Sequence, residues 1–261
     1  MRRVEEPLTS VAYPVDMAPD TPTRPPAAGA RIVLDGTVNT RDLGGWPLPG
    51  GGTTRFGRVW RSDAFTHATA RDRDLLAKRG VRTVIDLRTE GERADAPHPL
   101  ADDERFEVVH VDLFGPVLAG FMRGDLTGDP FDLGTHYLAS FRLAREAYAR
   151  AFDVMTRSLA SYDGPVVVHC TAGKDRTGLI AALLLRAAGA DGATITAEYA
   201  LTHDRIAPLR PLLLDEGASK GLPRDGYVRM LDAYAETMAG ALEALDDELA
   251  TLAADAARHL R

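Results

Sequence analysis

The chain predicts an α/β domain with a mostly parallel central sheet flanked by helices, and three observations carry that expectation. Short β-rich runs alternate with helical periodicity as far as Asp191. The run Val166-Val167-Val168 ends at His169-Cys170, passes through a glycine-containing turn and reopens as an apolar helix at Thr177. Beyond Asp191 the apolar spacing is helical almost throughout.

Residues 1–29 hold Pro14, Pro19, Pro22, Pro25 and Pro26 with little periodic apolar content, and are expected to form a flexible leader. Residues 30–261 contain no long linker and read as one domain. Ile32-Val33-Leu34 reads as a first strand, and Gly44–Gly52, with Pro47 and Pro49 among its glycines, as a loop. Arg58–Arg61 reads as a strand. A helix is expected from near Thr69 to a stop at Gly80, with Lys78 and Arg79 suited to its C-terminus. Val81–Leu87 and Phe106–Leu113 are further strands. From about Thr135 to Ala160, Phe141, Tyr148, Phe152, Met155 and Leu159 recur at three-to-four spacing, which predicts one long amphipathic helix. Gly164-Pro165 precedes the cysteine strand, and the helix after its loop is expected from Thr177 to Ala188, closed by Gly189.

Further on, Leu231, Tyr234, Met238, Leu242, Leu245, Leu249 and Leu252 form an apolar stripe on a helical segment expected over 225–257. Such a stripe serves either core packing or a cover over a site. Between them, Ala207–Pro223 is interrupted by Pro208, Pro211, Gly217, Gly221 and Pro223, a broken connection that would permit movement.

Thirty-one basic against 38 acidic residues give a net charge of −7, which disfavours nucleic acid as a partner and leaves any anion site to local geometry. The single cysteine rules out an intrachain disulfide and suits a reducing cytoplasm, although export by a non-classical route would leave the same signature. No apolar signal core follows the opening Met-Arg-Arg-Val-Glu-Glu-Pro, and the longest apolar helical run, Leu179–Leu185, is too short to span a bilayer, so no integral membrane association is expected.

The chemistry concentrates at residues 166–178. A strand, a short loop and a helix start turn successive backbone N–H groups inward, and with the positive end of the helix dipole they make a cradle for a tetrahedral oxyanion. The loop supplies Thr171, Ala172, Gly173, Lys174, Asp175 and Arg176 as phosphate-binding candidates, and the planar guanidinium of Arg176 is able to hold two phosphate oxygens. Cys170 stands at the centre of these positive fields, which favour the reactive thiolate. A lone cysteine at a strand end is more commonly a small buried hydrophobe; the neighbouring His169, Gly173, Arg176, Thr177 and Gly178 argue for the reactive role.

At these residues the sequence resembles the cysteine-dependent phosphatases, whose signature is His-Cys, five residues, Arg, then Ser or Thr. Gly173-Lys174-Asp175-Arg176-Thr177-Gly178 is similar to the bacterial tyrosine-phosphatase branch of mycobacterial type and its related lipid phosphatases. Asn39-Thr40-Arg41-Asp42-Leu43-Gly44-Gly45, Trp60-Arg61-Ser62-Asp63 and Val84-Ile85-Asp86-Leu87-Arg88 extend the likeness over roughly residues 31–250. The resemblance implies a three-layer protein-tyrosine-phosphatase-like fold, a C-terminal helical cover at about 191–245, and hydrolysis through a cysteinyl phosphate with no cofactor and no metal. Phosphotyrosine is the leading substrate, with tolerance for phosphoserine and phosphothreonine; a phosphoinositide phosphatase is the alternative. A phosphate-binding module without turnover and a sulfur-transfer or arsenate-reducing enzyme fit less well, since Cys170, Asp175 and Arg176 occur together and no second cysteine is present to resolve the first.

In that scheme Cys170 is the nucleophile, and Arg176 and the loop amides hold the phosphoryl oxygens. Asp175 is the first candidate for general acid, or else fixes Arg176. Asp86 orients Arg176 or supports the proton transfer, and Asp112 is the outside candidate for an acid on a movable loop; both are also readable as structural strand-end carboxylates. Thr177 donates to the departing thiolate or caps the helix. His169 orients the loop. Lys174 meets a second phosphate or an acidic neighbour on the substrate, or is a solvated surface lysine, and Arg41 and Asp42 belong to the pocket wall or to an ordinary loop.

Overall fold

The computed structural model describes residues 27–123, 133–219, 221 and 223–243. Five strands form one sheet in the order β1-β2-β5-β3-β4: β1 (Arg41–Asp42), β2 (Val59–Ser62), β3 (Thr83–Asp86), β4 (Glu107–His110) and β5 (Val166–His169). Only the short edge strand β1 is antiparallel to its neighbour; β2, β5, β3 and β4 run parallel. The helices are α1 (Ala70–Lys78), α2 (Glu90–Asp95), α3 (Gly115–Arg123), α4 (Leu133–Leu143), α5 (Arg145–Ser161), α6 (Asp175–Ala187), α7 (Gly192–Arg205), α8 (Arg210–Ser219) and α9 (Arg224–Met230).

Side-chain alternation along β5 divides the interior in two. Val166 and Val168 join Ile85, Tyr148, Met155, Leu179, Leu183 and Tyr199 in the core under α4–α7, whereas Val167 joins Trp60, Val84, Leu76 and Phe65 on the α1 face. Because both faces of this central strand are covered, it reads as an unbroken valine run. The expected three-layer α/β architecture is the one observed.

Three expectations differ. Ile32–Leu34 forms no strand: apart from the bridge of Arg31 to Arg41, the segment turns away, because the Asp72 carboxylate at the start of α1 takes the Asp35 and Gly36 amides at 2.7 and 2.9 Å. The single long helix is two, broken at Ala144 (φ −107°, ψ 23°). No proline or glycine marks the break; it lets Phe141 stack on Tyr148 at 5.0 Å while the Tyr148 hydroxyl meets Ser140 Oγ at 2.9 Å. The segment expected over 225–257 is interrupted as well: α9 stops at Met230, residues 232–234 are non-helical, and helix resumes over 235–243. Leu245, Leu249 and Leu252, like the leader as far as Pro26, lie outside the described residues.

No described helix is long and apolar enough to cross a membrane. α8 and α9 lie against each other where Gly217 meets Tyr227 so closely that a Cβ there would sit 2.4 Å from the ring.

Candidate active site

Strand register sets the floor of the site. Ser62, His169 and Asp86 are direct partners at the C-terminal ends of β2, β5 and β3, and Cys170 follows His169 above them. Ligands of parallel sheets collect at this edge. Cys170 is 2% exposed. The loop then turns through Gly173, whose φ of +65° and whose contact with Ser62 O, 2.4 Å from any added Cβ, admit no other residue without movement.

Each carbonyl from Cys170 to Lys174 has a donor, lying outside the loop for residues 170–173 and within α6 for Lys174. His169 Nδ1 lies 3.0 Å from Cys170 O, Ala64 N donates to Thr171 O at 3.0 Å, and Asn39 Nδ2 donates to Ala172 O at 3.0 Å and Gly173 O at 3.2 Å. Arg61 Nη2 donates to Gly173 O at 2.5 Å, and Lys174 O takes Gly178 N at 2.8 Å. A peptide's C=O and N–H point in opposite directions. Drawing the carbonyls outward therefore turns the amides of residues 171–175 toward the inside, where, among the described residues, no acceptor meets them. The result is a concave set of main-chain donors with the geometry that suits an anion.

Arg176 is fixed at the rim by a residue that the sequence reading missed. Glu92, in α2, accepts from Arg176 Nη1 at 2.5 Å and Nη2 at 2.8 Å, and also from the Thr171 hydroxyl. Burial opposes ionisation of Glu92, but the Arg176 contacts outweigh it and hold the carboxyl well below its ordinary range. The Arg176 guanidinium also lies over the Phe114 ring, 5.6 Å from its centroid. A signal for Glu92 was present: Thr89-x-x-Glu92 after the strand 83–86 is a capping box, which the structure forms.

Asp175 opens α6, with its side chain about one-third exposed. Its Oδ1 accepts from the Tyr137 hydroxyl at 2.6 Å and lies 3.1 Å from Lys174 Nζ, and Tyr137 in turn meets Tyr199 at 2.7 Å. Nothing in the sequence marks Tyr137, since α4 is far from the loop in the chain.

Asp86 does not touch Arg176; it is bound by Arg88 (Nη2 to Oδ2, 2.8 Å) and lies 3.7 Å from His169 Nε2. Burial notwithstanding, the charge and hydrogen bonds of Arg88 keep it below the usual carboxylate range. His169 belongs to a relay: Leu100 N donates to His98 Nδ1 at 3.2 Å, His98 Nε2 meets His169 Nε2 at 3.0 Å, and His169 Nδ1 meets Cys170 O. One tautomer assignment satisfies every step, with both rings neutral. Burial first, then mutual proximity, pushes His98 down to about 3, and burial lowers His169. Asp86, His98 and His169 are the group among the described residues whose ligand atoms lie close enough, within 4.8 Å of one another, to hold a metal ion. Their nitrogens and oxygens are already used by the relay and by Arg88, so the trio reads as support for Cys170.

Other expectations are corrected. Lys174 neither faces open space nor is solvated: it is 1% exposed, and its ammonium donates to Met230 O and, at 3.1 Å, to Asp232 O, carbonyls exposed by the break after α9. Arg41 and Asp42 are not pocket wall. Arg41 is wholly buried and bound to Glu198 Oε1 at 2.7 Å, while Asp42 pins Gly44 N, Gly57 N and Trp60 Nε1 at 2.7, 2.8 and 3.0 Å. Thr177 is the third residue of α6 rather than its cap, and its buried hydroxyl has no described partner, so the bond to Cys170 is not made in this structure. Asp112 caps α3, accepting from Phe114 N and Gly115 N at 2.8 and 2.7 Å.

The chain matches the family model described as the tyrosine phosphatase family over residues 32–258. It is 36% identical over 219 residues to a tyrosine-protein phosphatase of Nostoc commune, a stretch covering 83% of this chain and 65% of that protein, so it spans just under two thirds of that relative. It is 32% identical over 235 residues to a putative tyrosine-protein phosphatase of Cupriavidus necator, covering 86% of this chain and 84% of the relative. Against the triple specificity protein phosphatase PtpB of Mycobacterium tuberculosis, identity is 30% over 200 residues, with 68% of this chain and 71% of the relative covered. With a main-chain cradle at the sheet edge, a cysteine at its centre and an arginine fixed at its rim, the chain belongs to the tyrosine phosphatase family.

Proposed function

We propose that the chain hydrolyses phosphomonoesters through a cysteinyl-phosphate intermediate, with phosphotyrosine the preferred substrate and phosphoserine and phosphothreonine tolerated. The observation that carries this reading is the set of outward-bound carbonyls at residues 170–174, which turns the loop amides toward one point beside Cys170. Donors fixed before substrate arrives stabilise transition-state charge without reorganising. In the first step Cys170 Sγ bonds to phosphorus as the ester P–O bond breaks, and the leaving oxygen takes a proton from Asp175. In the second, water attacks phosphorus, Asp175 recovers a proton from it, and the thiolate departs with phosphate released. Tyr137 and Lys174 occupy Asp175 Oδ1, so we assign the transferable proton to Oδ2. The unpartnered Thr177 hydroxyl is available to the departing thiolate.

The buried position of Cys170 favours a phosphate carried at the end of an aryl ring over one on a short hydroxyl side chain. The phosphoinositide alternative draws on Lys174 and on the breadth of the branch; the first support is weakened, because that ammonium is engaged by Met230 O and Asp232 O. The breadth stated in the name of the mycobacterial relative supports tolerance of several phosphomonoesters here. Residues 30–261 are read as one domain with 191–245 as its helical cover, acting in the cytoplasm on the strength of the single cysteine.

The test is kcat/KM on phosphotyrosine peptides, phosphoserine peptides and phosphoinositides with one preparation, beside Cys170→Ser. Wild type is expected to prefer phosphotyrosine. Cys170→Ser is expected to bind phosphate and lose turnover, because a serine hydroxyl stays protonated and weakly nucleophilic. Near-wild-type turnover by that variant would remove the covalent mechanism, and preference for phosphoinositides would replace the substrate assignment.

A further inference from the structure

We infer that Glu198, on α7, is a positioning residue that sets the shape of the phosphate cradle through two arginines. The inference rests on the phosphatase reading only in what the cradle is for; the contacts stand by themselves. Glu198 is 1% exposed, and its two carboxylate oxygens are divided, Oε1 to Arg41 Nε at 2.7 Å and Oε2 to Arg61 Nη1. Both arginines are wholly buried.

From this one carboxylate two arms reach the loop. In the first, Arg61 carries the contact onward, its Nη2 donating to Gly173 O at 2.5 Å and approaching Lys174 O at 3.4 Å. In the second, Arg41 Nη1 donates to Asn39 Oδ1 and, at 3.2 Å, to Asn39 O. Asn39 Nδ2 then donates to Ala172 O and Gly173 O. Accepting through Oδ1 decides which way the Asn39 amide faces, and so which end is left to donate to the loop. The carbonyls of residues 172–174 are thus held outward by donors that share Glu198.

The electrostatics explain why a carboxylate is needed. Burial first, then the neighbouring Arg61, pushes Arg41 down to about 9, with Glu198 opposing both. Burial disfavours the Glu198 anion, but the two arginines prevail and hold it below its ordinary range. Arg61 Nε has no described partner, so its terminal nitrogens hold the guanidinium in place. With Glu198 neutral, two like charges would face each other in a buried space with no anion between them. Arg61 would then swing away from Gly173, leaving that carbonyl to Asn39, whose own anchor Arg41 is loosened by the same loss, so that the carbonyl turns and takes the next amide out of the cradle.

The experiment compares Glu198→Gln, Glu198→Asp, Arg61→Lys and Asn39→Ala with wild type, each assayed well below its own Tm. Two quantities are read: vanadate and inorganic phosphate affinity by calorimetry, and kcat with KM on an aryl phosphate. Glu198→Gln is expected to weaken oxyanion affinity and lower kcat together, on the order of 10- to 100-fold. Glu198→Asp should recover part of both. Asn39→Ala, which leaves the three charges intact, should reproduce the loss in part even where Glu198→Gln does not fold. Folded Glu198→Gln with wild-type oxyanion affinity and kcat, differing in Tm alone, would show a purely structural role and overturn the inference. Wild type that binds vanadate but hydrolyses no phosphomonoester would instead overturn the phosphatase reading, and the affinities would still test the positioning.

Discussion

Glu92 and Arg176 meet side by side, with Nη1 2.5 Å from Oε2 and Nη2 2.8 Å from Oε1, so the guanidinium plane is set by a helix that shares no strand with the cysteine loop. Two parallel charge-assisted bonds fix orientation as well as position. Glu92→Gln is expected to leave the fold intact and lower kcat by about tenfold or more, since a neutral amide cannot accept at both positions. Arg176→Lys, which keeps charge but loses the planar fork, should lower kcat by more than it raises KM. Steady-state kinetics on an aryl phosphate checks both. A change in KM alone in either variant would reduce the pair to substrate capture.

Asp175 is held by Tyr137 through a 2.6 Å bond. If Asp175 supplies the leaving-group proton, Asp175→Asn should slow poor leaving groups far more than an activated aryl phosphate and flatten the basic limb of the pH–rate profile. Tyr137→Phe is expected to show the same leaving-group dependence in weaker form, because the carboxyl keeps its chemistry and loses its orientation. Equal losses for good and poor leaving groups in Asp175→Asn, with a steep dependence in Asp112→Asn, would move the acid to Asp112.

Lys174 joins the loop to the segment after α9 through the carbonyls of Met230 and Asp232. Lys174→Met keeps much of the volume and removes the donors. Hydrogen–deuterium exchange over residues 224–234 is expected to accelerate by about tenfold or more, with the central strands unchanged. Unaltered exchange there would mean that apolar packing alone holds the segment.

The neutral His98–His169 pair gives stability a defined pH dependence. Its folded pKa values are depressed, His98 to about 3 from 6.5, so below 6.5 the unfolded chain takes up protons that the folded chain refuses. Stability is therefore full above that region and falls with pH, by up to about 1.4 kcal/mol per unit for each histidine. Asp63 and Asp42 act in the opposite sense, since burial raises both carboxyls, Asp63 from 3.8 to about 6 despite the Val38 and Asn39 amides. The histidine contribution is therefore read by difference: urea unfolding at about pH 7, 6 and 5 should show stability falling less steeply toward low pH in His98→Gln than in wild type. The same pH profile in both would refute the neutral relay.

How much of this was legible in the sequence depends on how local each feature is. The cysteine strand, its loop and α6 were readable because strand, turn and helix signals are contiguous, and Cys170, Arg176 and Asp175 lie within seven residues. The break at Ala144 was not, since it is made by Phe141 and Tyr148 meeting across it rather than by a breaker residue. Asn39 and Arg61 stood in quoted motifs, yet their roles depend on loop carbonyls more than 100 residues away, and no periodicity records such a pairing. A charged residue inside a four-residue buried strand, as Arg61 is, was the available hint.

Because the cradle presents amides, its tolerance to substitution should follow backbone shape more than side-chain chemistry. Ala172, partly exposed at its rim, should accept other small residues, since its carbonyl rather than its methyl is what Asn39 holds. Gly173 should accept none, as both its φ of +65° and Ser62 O forbid a side chain. A library varied at residues 171–174 and selected for turnover would therefore be most diverse at 172 and invariant at 173.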